Sequence, residues 1–266
     1  MTSDSTHLLA IAVGNTRTRM GLFIDGDLSS TRTIASDDAA AAAQAAAEWT
    51  AERHGLPVVM SSVNAPRAEA IARAIEDAGH GPVLRIGKDV LVPMNHALDD
   101  ATTLGQDRIL CAFAAWRRAK QACIVVDAGT AITVDFVDGE GTFQGGAIAP
   151  GVNMMLRSMH AGTAALPALT YTPPDPAQGA FGKDTTHAMH LGVTAAAVGM
   201  VHHLINAYAE AYEAYPQIIA TGGDAAALFE RDELVEHVVP DLQLIGILEA
   251  CKAHDEVQDE EDAVND

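Results

Sequence analysis

Two short segments carry the residue types that hold phosphate. Ala12-Val13-Gly14-Asn15-Thr16-Arg17-Thr18 follows the apolar run Leu8-Leu9-Ala10-Ile11, and Asp127-Ala128-Gly129-Thr130-Ala131-Ile132-Thr133 follows Cys123-Ile124-Val125-Val126. Their glycines and final threonines align without a gap, and each copy runs on to an Asp-Gly turn, Asp25-Gly26 and Asp138-Gly139. A strand, a glycine turn and a returning strand make a hairpin whose tip brings backbone N–H groups close to an anion. Gly14-Asn15-Thr16 adds an amide and a hydroxyl for phosphate oxygens. Asp127 with Thr130 adds a carboxylate and a hydroxyl that suit a cation held against phosphate. Gly with Asn is also ordinary turn chemistry; the duplication is what favours phosphate over a plain turn. The copies differ by one charge, Asp127 in the second against Ala12 in the first.

Three further clusters could do chemistry. Gly105-Gln106-Asp107-Arg108 puts a carboxylate at an expected helix start. There it either caps the helix or acts as a general base, beside an arginine able to neutralise a substrate carboxylate or phosphate. Gly145-Gly146-Ala147-Ile148-Ala149-Pro150-Gly151 predicts unusual dihedrals and close backbone approach, as a sharp strand-to-helix turn or as a substrate wall. Thr221-Gly222-Gly223-Asp224 follows an apolar strand and precedes a helix, where a nucleotide's base or ribose commonly rests in an α/β sheet. Gly182-Lys183-Asp184-Thr185 fails as a Walker A loop, because position 177 is Ala and Asp184 stands where Ser or Thr is needed. His187, His190, His202 and His203 share one expected helix without the carboxylate or Cys spacing of a metal site, and read as surface or packed side chains.

The elements that must position these groups alternate. Strands are expected near 8–13, 17–24 and 28–35. An Ala-rich helix follows to about Arg53, with Ser36 as its N-cap and Asp37 and Asp38 in its first turn. A strand at 56–62 leads to a helix opened by Asn64-Ala65-Pro66 and ended near Gly81, then a strand at 82–86 and an irregular crossing at 88–104. The second half is expected as a helix at 107–120 and strands near 122–127, 131–138 and 142–148. A Met-bearing helix, a Pro-rich loop, a long helix at 186–212, a strand at 217–220 and closing helices complete it. This order predicts an α/β fold with mixed sheets in two similar halves, 1–104 and 105–254, and an acidic, disordered tail at 255–266.

Composition narrows the function. With 266 residues, 48% of them hydrophobic, the chain can bury a sizeable core. A net charge of −20 with only 16 basic residues argues against nucleic-acid or anionic-membrane partners. Phosphate sites work through local amides and cations, so net charge does not exclude them. No membrane span or signal peptide is expected: Gln44 and Glu48 break the Ala-rich stretch, and no basic region precedes the first apolar run. Cys111, Cys123 and Cys251 are widely spaced and read as reduced, packed thiols of a cytoplasmic protein.

Together these clusters resemble the type III pantothenate kinases, of the actin-like, sugar-kinase-like ATPase superfamily, from about Leu8 to Leu248. The resemblance implies two duplicated ribonuclease-H-like domains with ATP in an interdomain cleft. It also implies a homodimer with pantothenate near the subunit interface, and Mg2+ with a monovalent cation, K+ or NH4+. By the family pattern, Asp107 takes the proton from pantothenate's primary hydroxyl. Gly105, Gln106, Asp107 and Arg108 line the pantothenate site, joined by Thr185 or its neighbour Thr186. Val13, Gly14, Asn15, Thr16, Arg17, Thr18, Thr130, Gly222 and Gly223 bind ATP, and Asp127 holds the monovalent cation. Two positions depart from the pattern. Ala12 replaces an Asp that helps organise magnesium, with Asp135 as a candidate substitute, and Leu98 stands where members often carry Tyr. The expected activity is ATP-dependent phosphorylation of pantothenate to 4'-phosphopantothenate, the first step of coenzyme A biosynthesis. The alternative, kept open by Ala12, is a catalytically impaired relative that binds nucleotide or pantothenate as a regulatory protein. A kinase for another small alcohol, such as a sugar, fits less well, since Gly105-x-Asp107-Arg108 is not a sugar-kinase pattern.

Overall fold

Aliphatic runs become two five-stranded mixed sheets, and the Ala-rich stretch a helix, in the computed structural model, which describes residues 6–51, 53 and 55–265. The chain runs β1 (Leu8–Val13), β2 (Arg17–Ile24), β3 (Asp27–Ala35), α1 (Ala39–Thr50), β4 (Val58–Ser62), α2 (Ala65–Asp77), β5 (Val83–Arg85) and α3 (Gln106–Ala119). It continues with β6 (Cys123–Ala128), β7 (Ala131–Val137), β8 (Phe143–Pro150), α4 (Val152–Gly162), α5 (Thr185–Tyr212), β9 (Gln217–Thr221), α6 (Ala225–Phe229), β10 (His237–Val238) and α7 (Leu242–Asn265). The sheet orders are β3-β2-β1-β4-β5 and β10-β9-β6-β7-β8. In each, two antiparallel pairs meet parallel pairs at a central strand, β1 or β6, so the halves repeat one topology.

The compact units are discontinuous in sequence. One comprises Met1–Asn95, Asp99–Arg118 and Leu242–Asp266; the other comprises His96–Leu98 and Ala119–Asp241. This division differs from the one expected at 104/105, because α3 and α7 go with the first sheet. α7 packs on β1, β2 and β4. Glycines permit the approach: a Cβ at Gly246 would lie 2.3 Å from the Leu110 carbonyl oxygen, and one at Gly21 would lie 2.7 Å from Leu244. Helix also runs through the segment expected as a disordered tail, where Arg117 pairs with Glu256 at 3.0 Å; Asp266 lies outside the described residues.

In the first unit, Leu9, Ile11, Val13 and Met20 pack against Ala42, Ala45, Ala46, Ile71 and Ile75 of α1 and α2. Each fully buried Leu or Ile there contributes about 1.5–3 kcal/mol. The N-cap of α1 is Asp38, not Ser36: the Asp38 carboxylate accepts from Ala41 N at 2.9 Å. Ser36 is buried instead, with its hydroxyl 3.0 Å from that of Thr18 and its N–H donated to the Thr16 carbonyl. In the second unit, Ile124, Val126, Ile132 and Val134 pack against Val193, Ala197, Val201 and Ile205 of α5. Among the described residues α5 alone is long and apolar enough to cross a membrane, by length and composition, with 33% of its most apolar window buried.

Candidate active site

The β1–β2 turn is tight because Gly14 donates to the Arg17 carbonyl at 3.1 Å, and a Cβ there would lie 2.8 Å from that oxygen. The Gly14 N–H is therefore spent on closing the turn. Asn15, Thr16 and Arg17 form the exposed tip, while Val13 and Thr18 are buried behind it. Ala12, 4% exposed, stands beside Ser61 on β4 and Arg19 on β2. Arg19 donates to Thr31 and Thr33, each at 2.8 Å.

A short bridge ties this turn to Asp107. Val63 N donates to the Val13 carbonyl at 3.1 Å, and Ser62 N donates to Gln106 Oε1 at 2.9 Å. Gln106 Nε2 in turn donates to the Ile86 carbonyl at 2.8 Å, so the start of α3 is pinned to the carboxyl ends of β4 and β5. Asp107 Oδ1 accepts from Arg108 N at 2.9 Å. A Cβ at Gly105 would lie 2.4 Å from that oxygen, so glycine is what leaves room for the carboxylate. On the other side of the bridge, Asn64 caps α2 and donates to Asn15 Oδ1 at 3.1 Å, while Arg67 Nη1 donates to the Asn15 carbonyl. Gln243, at the start of α7, donates to Ser61 Oγ at 3.2 Å. Ser61, Ser62, Asn64, Arg67 and Gln243 adjoin these groups without being singled out for chemistry by the sequence. Only Asn64 carried a signal, as a helix start.

The β6–β7 turn is built differently. Gly129 donates to the Ala131 carbonyl at 2.9 Å, and Thr130 is the exposed tip. The hairpin registers differ by one residue: Val13 pairs with Thr18, whereas Ala128 pairs with Ile132. A one-residue shift reverses the face of a strand. The threonines that align in sequence therefore point to opposite faces: Thr133 lies beside Asp127, and Thr18 lies in the core with Val13. Asp127 is half-buried against Gly222, whose φ is +96° and whose Cβ would lie 2.4 Å from the carboxylate and from the Ala128 carbonyl oxygen. Gly223 is exposed beyond it, and Asp224 N donates to Ala128 O at 2.9 Å. The Gly145–Gly151 cluster now has a physical reason. Gly151 donates to Thr130 O at 3.1 Å and would press a Cβ onto Gly129 O, while Gly146 lies over Asp135. Asp135 is 1% exposed, so it presents no open carboxylate that could replace one at position 12.

Thr185 and Thr186 are exposed in the first turn of α5, and Thr185 lines an apolar groove of about 580 Å³ with Met155, Met159, Leu166 and Met189. Leu98 lies 3.2 Å from where a Cβ at Gly145 would be. His202 pairs with Asp232 at 2.7 Å, and no group of three or more metal-ligating side chains occurs among the described residues. Cys111, Cys123 and Cys251 are buried and form no disulfide with one another.

The type III pantothenate kinase family model matches residues 8–207. A type III pantothenate kinase from Rhodospirillum rubrum is 32% identical over 251 residues, covering 91% of this chain and 96% of that protein. One from Ruegeria pomeroyi is 35% identical over 243 residues, covering 88% and 92%. The chain belongs to the type III pantothenate kinase family. Its fold is that of the actin-like ATPases, two duplicated ribonuclease-H-like units. A conserved Baf family protein from Campylobacter jejuni matches with a TM-score of 0.56 at 21% identity, over 94% of this chain and all (100%) of that one. Component A of (R)-2-hydroxyglutaryl-CoA dehydratase from Acidaminococcus fermentans matches at 0.51 and 15%, over 93% and 97%. For a type III pantothenate kinase, the metal chemistry is unevenly provided. Asp127 with the Thr130 hydroxyl fits a hard cation that takes its other ligands from phosphate and water. The first turn does not fit a carboxylate-held ion, since Ala12 offers a methyl group.

Proposed function

We propose that this chain phosphorylates pantothenate with ATP, giving 4'-phosphopantothenate, the first step of coenzyme A biosynthesis. The observation that carries the role assignment is the bridge Ser62–Asn64, which holds Asp107 and the Asn15 turn in one frame. Asp107 is the base. Its carboxylate accepts the proton of pantothenate's primary hydroxyl as that oxygen bonds to the γ-phosphorus and the bond to the bridging oxygen of ADP breaks. Such transfers pass through a loose transition state, so positioning and charge neutralisation dominate. Gly105, Gln106 and Arg108 shape the pantothenate pocket, with Arg108 facing the substrate carboxylate and Thr185 adding a further contact. Asn15, Thr16, Arg17, Thr130, Gly222 and Gly223 meet ATP, while Gly14, Val13 and Thr18 hold the turn from behind. A monovalent cation at Asp127, K+ or NH4+, neutralises phosphate charge alongside Mg2+ when bound.

The protein acts as a cytoplasmic homodimer in this proposal. The apolar groove between α4 and α5, beside Thr185, supports a second copy covering that face, which also accounts for the apolar exposed side of α5. Sedimentation of the purified protein and fractionation of cells test both points; a monomer, or recovery with membranes, overturns them. The activity test is phosphopantothenate formation with Mg2+ and K+ or NH4+ by wild type, Asp107→Asn and Ala12→Asp. Wild-type turnover falling about 10²–10⁴-fold in Asp107→Asn is the expected result. A silent wild type with an active Ala12→Asp would instead mark a disabled, regulatory relative.

A further inference from the structure

One of the two fixed positive charges at the first phosphate turn, that of Arg67, comes from outside the turn. Arg67 Nη1 donates to the Asn15 carbonyl, and the first turn of α2 carries it there. Asn64 sets that position: its Oδ1 accepts from Arg67 N at 3.3 Å, while its amide donates to Asn15 Oδ1 at 3.1 Å. The chain has 16 basic residues against 36 acidic ones, yet Arg17 sits in this turn and Arg67 sits on it. A magnesium ion held by protein needs one or two carboxylates beside its phosphate and water ligands. Here residue 12 supplies none. Asp38 is committed to capping α1. Asp37, one residue past the Ser36 N–H that donates to Thr16 O, is the carboxylate that chain continuity brings toward the turn. A guanidinium has five N–H donors in a planar fork that matches two phosphate oxygens, and the Asn15 carbonyl takes one.

We propose that Arg67 contacts the nucleotide's phosphates, so that a guanidinium, not a carboxylate-held divalent ion, is the charge this turn supplies. The proposal rests on the nucleotide-binding role given to the turn above. It predicts that nucleotide binding survives removal of divalent metal and depends on residue 67.

The test is equilibrium binding of ADP and ATP by the full chain, in EDTA and in Mg2+, for wild type, Arg67→Lys, Arg67→Gln and Asp37→Asn. Pantothenate binding and thermal melting are measured on the same samples. Wild type binding ADP in EDTA, about tenfold or more weaker binding in Arg67→Gln, partial rescue in Arg67→Lys and unchanged pantothenate binding are expected. Arg67→Gln binding nucleotide as wild type does, or losing both ligands equally, overturns the contact and leaves a purely structural arginine. Should Arg67→Gln melt early, Arg67→Lys decides alone, by nucleotide affinity against pantothenate affinity. Loss of the Mg2+ response in Asp37→Asn would show a metal carboxylate at the turn and equally overturn it. Wild type that binds pantothenate but no adenine nucleotide in either buffer would sink the nucleotide role itself.

Discussion

At the scale of single residues, several glycines in this chain are obligatory because another group occupies the space of their side chain. Gly222 combines a φ of +96° with a missing Cβ that would lie 2.4 Å from both the Asp127 carboxylate and a main-chain oxygen. Neither a backbone oxygen nor a strand-held carboxylate can move away cheaply. Gly222→Ala is expected to destabilise the protein by about 1–3 kcal/mol, from left-handed strain and overpacking together. Urea titration checks it; an unchanged midpoint would mean that β6 and β9 yield there. Gly105 makes the same argument for Asp107. A substituent at 105 would displace the carboxylate whether or not it destabilised the helix.

At the scale of elements, one residue at a helix start serves two structures. Asn64 caps α2 through its carbonyl oxygen and steadies Asn15 through its amide. An aspartate caps as well as an asparagine but cannot donate. Asn64→Asp is therefore expected to keep the melting temperature and raise KM for ATP, whereas Asn64→Ala should also lose about 1 kcal/mol of stability. Thermal melts beside ATP titrations separate the two effects. Equal KM values for wild type and Asn64→Asp would show that the amide contact does nothing for the turn. Loop length acts at this scale too. The β6–β7 turn is one residue shorter than the β1–β2 turn between paired positions, and that alone sends Thr18 into the core and Thr133 to the side of Asp127.

At the scale of the whole molecule, burial controls the thiols. Removal from water pushes Cys123 and Cys251 up to about 12, with Asp255 adding to the effect at Cys251. These folded values lie above the unfolded value of about 8.5. The stability they contribute is therefore fully present below about pH 8.5 and is lost as pH rises toward 12. Denaturant midpoints measured from pH 8 to 11 should fall, and a Cys123→Ala, Cys251→Ala double variant should fall less steeply. At pH 8 the native protein should resist a thiol reagent that reacts fully after unfolding. Fast reaction of the native protein would mean that these sites open readily.

The sequence by itself determined the repeated strand–turn–strand pattern, the places of β1 to β9 and the two glycine turns, but not the short β10. Each follows from local chemistry: alternating or continuous apolar runs, and glycine where a side chain cannot fit. It also singled out Asp107, Asp127 and Ala12 as the positions on which the proposed phosphoryl transfer turns. Tertiary structure decided the rest. Sequence adjacency put α3 with the second half, but packing of Leu110 on Gly246 gives α3 and α7 to the first unit. Asp135 was a plausible carboxylate along the strand until the backbone of Gly146 covered it. Arg67 and Asn64 looked like the opening of an ordinary helix, because no local pattern reveals which distant turn a helix start will touch. Periodicity reports which face of an element is buried; only the packed chain decides which polar groups meet across elements far apart in sequence.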